Sequence, residues 1–233
     1  MKRLTLLAAT IGLLASGLRR EQGDSAELTP RWHVSAQRAI TADPGPEHYP
    51  RISPDGTRVA YSIVDPVRHA SRIVQRSLSQ ARLIEISDGA DGNEFFPVWS
   101  PDGSSIAFAR QDSDECSILL ASASDGAERL IDRCVVAAVT YFSWTPDGRS
   151  LISTRPSGAT ATDMAITLVP IDGSALDRIP YAHDNGDLDL DARYSPDGRL
   201  IAFRRGASPY SDLFVVDAIG GDVRQLTHLA SRI

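Results

Sequence analysis

The sequence predicts an all-β protein: an incomplete β-propeller built of four-stranded antiparallel blades, with four blades present. Three observations predict this fold. One nine-residue phrase occurs four times, at residues 53–61, 100–108, 145–153 and 195–203. The copies recur about every 45 to 50 residues, a period that is typical of propeller blades. A second hairpin pattern follows each copy, and no stretch shows a sustained helical period.

The repeated phrase predicts a tight turn that enters a buried strand. In Ser-Pro-Asp-Gly the proline sets φ for the second turn position, and glycine accepts the left-handed conformation that follows. The next residues are β-branched, small and aromatic, which suits a buried strand. The third copy has threonine in place of serine. The predicted turn residues are Pro54, Asp55, Gly56, Pro101, Asp102, Gly103, Pro146, Asp147, Gly148, Pro196, Asp197 and Gly198.

The second hairpin of each repeat supplies the two outer strands. Its turn is predicted at 125–126, 172–173 and 220–221, where glycine stands between two alternating runs, and less clearly near 79–80 in the first repeat. The repeat region covers residues 31–233. Its predicted blades are about 42–87, 88–132, 133–180 and 181–227.

Residues 33–41 resemble an outer strand without a blade of its own. The last repeat already has an outer strand at 223–227, so two segments compete for one sheet edge. The blade that residues 33–41 would complete is then missing, which is why the sequence predicts an incomplete propeller.

The first 18 residues predict export or membrane anchoring. A basic start precedes an apolar run, residues 4–18, and the small residues 15–17 suit a signal-peptide cleavage site. Arg19 and Arg20 disfavour cleavage there, so an uncleaved anchor stays open, as does an artefact of the gene start. Signal or anchor would give a periplasmic or extracytoplasmic protein, with residues 19–30 as a linker. Membrane contact is expected only through this segment, if it is not cleaved.

Composition and motifs argue against nucleic-acid binding and against catalysis. The formal net charge is −6, so a polyanionic partner is not expected. No nucleophile elbow, zinc-protease motif, phosphate-binding loop or dinucleotide fingerprint occurs, and the five histidines lack metal-ligand spacing. The sequence therefore predicts that the protein is not an enzyme and that it has no catalytic residues and no bound cofactor.

Cys116 and Cys134 flank the outer hairpin of the second repeat. If its turn centres on Asp125, the two cysteines face each other and a disulfide is predicted, as an oxidising compartment favours. A turn shifted by one residue would place them on opposite faces. Two buried thiols remain the alternative.

Acidic residues recur eight positions before the turn aspartate in three repeats, as Glu47, Glu94 and Asp189. These are predicted to form a binding surface at the channel mouth. Asp187, Asp189 and Asp191 alternate, so an extended segment would present three carboxylates on one side as a possible Ca²⁺ site. The alternative is that these acids only cap turns by accepting backbone N–H groups.

The repeats resemble the TolB-like, WD40-like (PD40-type) propeller family over roughly residues 39–230. The resemblance rests on an aromatic residue before Ser-Pro-Asp-Gly and an Ile-Ala-Phe strand after it, and it is strongest in repeats two and four. It implies a non-catalytic periplasmic scaffold whose partner is an envelope protein or peptide. Two alternatives stay open: the extracytoplasmic sensor part of a ToxR/CadC-like membrane-anchored regulator, and the propeller of a prolyl-oligopeptidase-like hydrolase.

Overall fold

The computed structural model describes residues 38–229, except 81, 114, 135–140, 158–162, 185 and 208. The chain divides into two compact units, Met1–Ala39 and Ile40–Ile233, and the fold below is that of the second unit.

The predicted leader 1–18 and linker 19–30 lie outside the described residues. Of the predicted stray strand 33–41, only residues 38–41 are described, and they are not in a strand. Within the described part of the chain, no helix is long and apolar enough to cross a membrane.

The described strands form four antiparallel sheets of four strands each, and in every sheet the strands follow chain order. Blade one contains β1 (Glu47–Ile52), β2 (Arg58–Val64), β3 (Ser71–Ser77) and β4 (Leu83–Glu85). Blade two contains β5 (Asn93–Trp99), β6 (Ser105–Asp112), β7 (Glu115–Ser122) and β8 (Glu128–Cys134). Blade three contains β9 (Ser143–Trp144), β10 (Ser150–Pro156), β11 (Met164–Pro170) and β12 (Asp177–Arg178). Blade four contains β13 (Asp189–Tyr194), β14 (Leu200–Arg205), β15 (Asp212–Asp217) and β16 (Arg224–Gln225).

The repeated phrase forms the turn between the first two strands of each blade. In blade one the Gly56 N–H donates to the Ser53 carbonyl over 2.9 Å, and Gly56 has a φ of 70°. The Ser53 hydroxyl donates to Asp55, and Asp55 also accepts the Thr57 N–H over 3.0 Å. The other three turns repeat this pattern, so the turn is closed by its own side chains.

Apolar cores lie between consecutive blades. The first strands of neighbouring blades lie against one another, β1 against β5, β5 against β9 and β9 against β13, so they surround the propeller axis. Blades one to three each pack the alternate residues of their middle strands onto the next blade, with Ala60 and Ile73 against Ile106 and Phe108 as the first example. The all-β propeller that the sequence predicts is therefore confirmed.

One face of blade four is not covered by a neighbouring blade among the described residues. Ala202 of β14 is exposed, and Leu213 of β15 is 51% exposed. The equivalent residues of the other blades are buried, so this face of blade four is the one that the described residues leave uncovered.

Candidate functional site

The innermost strands of blades one, two and four are irregular at the same repeat position, three residues before the large side chain that precedes the turn. Tyr49, Phe96 and Asp191 occupy it in blades one, two and four, with φ angles of 55°, 57° and 58°. The strand register shifts at each of them. Left-handed backbone is uncommon for a residue other than glycine, and a bulge re-aims the side chain that it carries. The outliers thus mark a repeated feature of the inner strands.

The bulge position joins aromatic rings from three blades. The centroid of the Phe96 ring lies 4.3 Å from that of Tyr49 and 4.6 Å from that of Tyr141, which holds the same position in blade three. Phe96 is 5% exposed, whereas Tyr49 at the end of the row is 39% exposed. We call these three residues the axial aromatic row. Its open end presents a phenol ring that can pack on an apolar group and also hydrogen-bond.

On the innermost strand of blade four, charged side chains take the place of aromatic rings. Asp191 replaces the aromatic residue there and accepts from Nε of Arg204 over 2.5 Å. Burial lowers the pKa of the Arg193 guanidinium, and the nearby positive charge of Arg51 acts in the same direction, while Asp191 opposes both. The inner strands of blades one and four thus carry two arginines whose charges act on each other, and arginine, like tyrosine, anchors many protein interfaces.

The predicted acidic binding surface is not formed, which corrects the expectation for Glu94 and Asp189. Both side chains are 0% exposed. The carboxylate of Glu94 lies between blades one and two, where it accepts from Arg110 over 2.6 Å and from the Ser87 hydroxyl. Burial raises the pKa of Glu94, and these two donors oppose the rise. Of the three predicted acidic residues only Glu47 is exposed, and its carboxylate accepts a hydrogen bond from the Thr41 hydroxyl.

The three alternating aspartates do not converge on one point, which corrects the predicted Ca²⁺ arrangement. Arg205 contacts Asp187 over 2.8 Å and Asp189 over 2.7 Å, while Arg204 contacts Asp191. The bulge at Asp191 breaks the strand alternation on which the prediction depended. Among the described residues no group of three or more acidic, histidine or cysteine side chains could hold a metal ion.

Acidic residues do gather elsewhere, around Arg110 on the outer part of blades one and two. A recess of about 390 Å³ is lined there by Asp88, Asp91, Asp125 and Glu128. Arg110 contacts Glu128 over 2.7 Å and Asp91 over 3.8 Å. The arginine offsets part of this negative charge.

His183 bridges two blades in a way that the sequence did not reveal. Its Nδ1 lies 3.1 Å from Asp189, and its Nε2 lies 2.7 Å from Asp163 and 3.1 Å from Ser157. The three residues Ser157, His183 and Asp189 resemble a nucleophile, base and orienting acid. However, the Ser157 hydroxyl donates to Asp163, and Asp163 also occupies Nε2. Both ring nitrogens of His183 therefore contact carboxylates, and the Ser157 hydroxyl shares one of these carboxylates, Asp163, with the histidine.

Cys116 and Cys134 form a disulfide between β7 and β8, with Cα atoms 4.8 Å apart. They are direct cross-strand partners, and a register shift between Ile118 and Leu119 places them on the same face. The bond ties the outermost strand of blade two to its neighbour.

Comparison with known proteins identifies the repeat. The family model described as the TolB beta propeller domain matches residues 35–232. No curated protein matches this chain closely enough to count as a relative.

Solved structures share the fold at low sequence identity. TolB from Acinetobacter baumannii is 22% identical with a TM-score of 0.66, over 81% of this chain and 45% of that one. A protein assigned as TolB from Agrobacterium tumefaciens is 19% identical with a TM-score of 0.58, over 82% of this chain and 83% of that one. A prolyl endopeptidase is 15% identical with a TM-score of 0.59, over 78% of this chain and 29% of that one. This chain therefore spans less than half of the Acinetobacter protein, and these likenesses show the fold alone.

Proposed function

The chain belongs to the TolB β-propeller family, and from that membership we propose that it is a non-catalytic extracytoplasmic scaffold that binds an envelope protein or peptide at its axis. The observation that carries the proposal is the axial aromatic row, which ends in the exposed ring of Tyr49. Arg51 and Arg193 lie on the inner strands of blades one and four, and the positive charge of Arg51 acts on Arg193. Tyrosine and arginine contribute much of the binding energy in protein interfaces.

An extracytoplasmic location is supported by the disulfide. Structural disulfides persist in oxidising compartments and are rare in the cytosol. Cys116 and Cys134 are the only cysteines of the sequence, and they are bonded to each other. The apolar run at residues 4–18 supports the same location.

A role without catalysis is supported by the contacts of His183. Its two ring nitrogens face Asp163 and Asp189, each at hydrogen-bond distance. A general base takes the proton of its nucleophile, and here the Ser157 hydroxyl and Nε2 of His183 both contact Asp163. We infer that this cluster holds blades three and four together.

The partner class follows from charge as well as from shape. A chain of formal net charge −6 repels nucleic-acid phosphates. A peptide with an aromatic or aliphatic anchor and a carboxylate suits Tyr49, Arg51 and Arg193, because arginine binds carboxylates in a planar, two-bond geometry.

Peptide selection tests the proposal. A phage-displayed library of random peptides is selected on the full chain and on Tyr49→Ala. We expect peptides that bind the wild type to bind Tyr49→Ala roughly ten-fold or more weakly, the loss typical of an anchor residue. Tyr210→Ala is the matched control, because Tyr210 is 60% exposed and lies outside the row. Equal loss in both variants, or no selected peptide, would overturn axial binding.

A further inference from the structure

An arginine side chain occupies the space between the turns of blades one and two. Arg58 begins β2, and its guanidinium carbon lies 4.5 Å from the centroid of the Trp99 ring of blade two. One terminal nitrogen donates to the Gly103 carbonyl over 3.0 Å, and the other donates to Oε1 of Gln75 over 3.3 Å. A cation on an indole ring is a favourable pairing. The chain thus shows within itself how a guanidinium group fits between two turns.

The equivalent space between blades two and three holds no arginine. Ser105 takes the position of Arg58, since the backbone N–H of each donates to the hydroxyl of the serine that opens its turn. Trp144 takes the position of Trp99, and a recess of about 420 Å³ lies between the turns. A recess of about 320 Å³ between blades three and four has Tyr194 at the tryptophan position. The recess between blades two and three therefore keeps the tryptophan and has lost the arginine.

The turns themselves pack alike at both places. A Cβ atom placed on Gly103 would lie 3.5 Å from Nη2 of Arg58 and 3.7 Å from Cδ of Pro54. Gly148 is the equivalent of Gly103, and a Cβ atom placed there would lie 3.6 Å from Cδ of Pro101. Among the described residues, no other side chain comes within 4 Å of this second position. The two spaces thus differ by the arginine side chain and not by the spacing of the turns.

Two carboxylates, and no basic side chain of the described residues, line the recess between blades two and three. They belong to Asp102 and Asp147. The hydroxyl of Ser100 lowers the pKa of Asp102, and that of Thr145 lowers the pKa of Asp147, so both carboxylates are charged at neutral pH. The charge of Arg149 also acts on Asp147, from outside the lining. The recess therefore favours a cationic occupant.

We propose that the recess between the turns of blades two and three binds an arginine side chain of a partner peptide. The guanidinium group lies on the Trp144 ring, donates to the Gly148 carbonyl and pairs with Asp102. Arginine suits the recess better than lysine, because its planar group stacks on aromatic rings and donates in several directions. Arg58 reaches its position from a β-strand, so a polypeptide that passes the turns can deliver the same group. This site uses no residue of the axial aromatic row and does not depend on the proposed axial binding.

Peptide titration followed by NMR tests this site. Three tripeptides with blocked ends carry arginine, lysine or neutral citrulline between two alanines. Each is added to the full chain labelled with ¹⁵N, and the indole N–H signals of its three tryptophans are followed. Trp144→Phe identifies the signal of Trp144. We expect the arginine peptide to shift that signal to saturation, the lysine peptide to bind roughly five-fold or more weakly, and the citrulline peptide not to bind. No saturable shift, or equal binding of the three peptides, would overturn the proposal.

Two variants change the site in opposite directions. Ser105→Arg is expected to fill the recess from within and to abolish the shift, whereas Ser105→Ala is the matched control that keeps it. Arg58→Ser is expected to open the space between blades one and two, so that the signal of Trp99 responds to the arginine peptide as well. If one variant does not fold, the other still gives the test. A Trp144 signal that responds to the peptide in Ser105→Arg, or a Trp99 signal that does not respond in Arg58→Ser, would contradict the assignment. A Trp144 signal that shifts with protein concentration alone would also overturn it, since a second copy would then fill the recess.

Discussion

A Cβ atom placed on Gly198 would lie 3.2 Å from Cγ of Pro146, so the turn of blade four rests against the turn of blade three. The same stacking relates each earlier pair of turns at ordinary contact distance, with Gly148 against Pro101 at 3.6 Å and Gly103 against Pro54 at 3.7 Å. Gly56 belongs to the first turn, and nothing lies within 4 Å of its Cβ position. The turns thus hold successive blades together as well as closing their own hairpins.

Gly198→Ala is expected to destabilise the protein more than Gly56→Ala does. Both glycines have a φ near 70°, so the conformational cost of about 1 kcal/mol is shared. Only Gly198 adds the close approach to Pro146, and the difference between the two variants measures that contact. Denaturant titration of both variants gives the comparison. Equal destabilisation would show that the contact between turns contributes nothing, and two neutral variants would contradict the turn conformation.

Glu94→Gln is expected to lower the free energy of unfolding by about 2 kcal/mol, because Arg110 keeps its charge while the partner that accepts its two hydrogen bonds loses its own, and this loss outweighs the gain from burying one charge less. Glu47→Gln is the matched control at the same repeat position, and we expect it to be nearly neutral because Glu47 is exposed. Chemical denaturation measures both. A neutral Glu94→Gln would restore the idea that this carboxylate serves binding.

Acid is expected to weaken the turns. The Ser195 hydroxyl and the Arg199 side chain lower the pKa of Asp197 from 3.8 to about 2, and Ser53 does the same for Asp55. A carboxyl group whose pKa is lower in the folded state than in the unfolded state stabilises the fold at any pH above its usual pKa. This contribution is lost as the pH falls from about 4 toward 2. In Asp197→Asn the amide oxygen can still accept but does not titrate. Its unfolding free energy should therefore fall less steeply with acid than that of the wild type; identical slopes would contradict this.

Reduction of the disulfide is expected to lower stability by about 3 kcal/mol, the usual effect for a closed loop of this size. The two cysteines are 18 residues apart. The double variant Cys116→Ala, Cys134→Ala should lose similar stability and should no longer respond to reductant. Thermal melts with and without dithiothreitol give both readings. A wild-type melt unchanged by reductant would show that the bond does not stabilise blade two.

Sequence patterns predicted those parts of the fold that depend on neighbouring residues. Proline, aspartate and glycine form the turn through their own dihedral preferences and side-chain hydrogen bonds. The alternation of apolar residues then identifies the buried strands on either side. The sequence left two possibilities for the cysteines, because a shift of one residue in strand register decides whether they face each other. The register shift between Ile118 and Leu119 places them as cross-strand partners.

The sequence by itself thus determined the repeat, its turns and its four blades, because each depends on interactions between residues close in sequence and the same pattern occurs four times. Only the tertiary structure decided where the side chains of the innermost strands point. A bulge at Tyr49, Phe96 and Asp191 brings that position to the axis, while Glu94 and Asp189 enter the interfaces between blades. The tertiary structure also shows that Ala202 and Leu213 are exposed. Their burial depends on whether a neighbouring blade covers them and not on their residue type. Ala202 has the same local sequence as Ala107 and a different exposure.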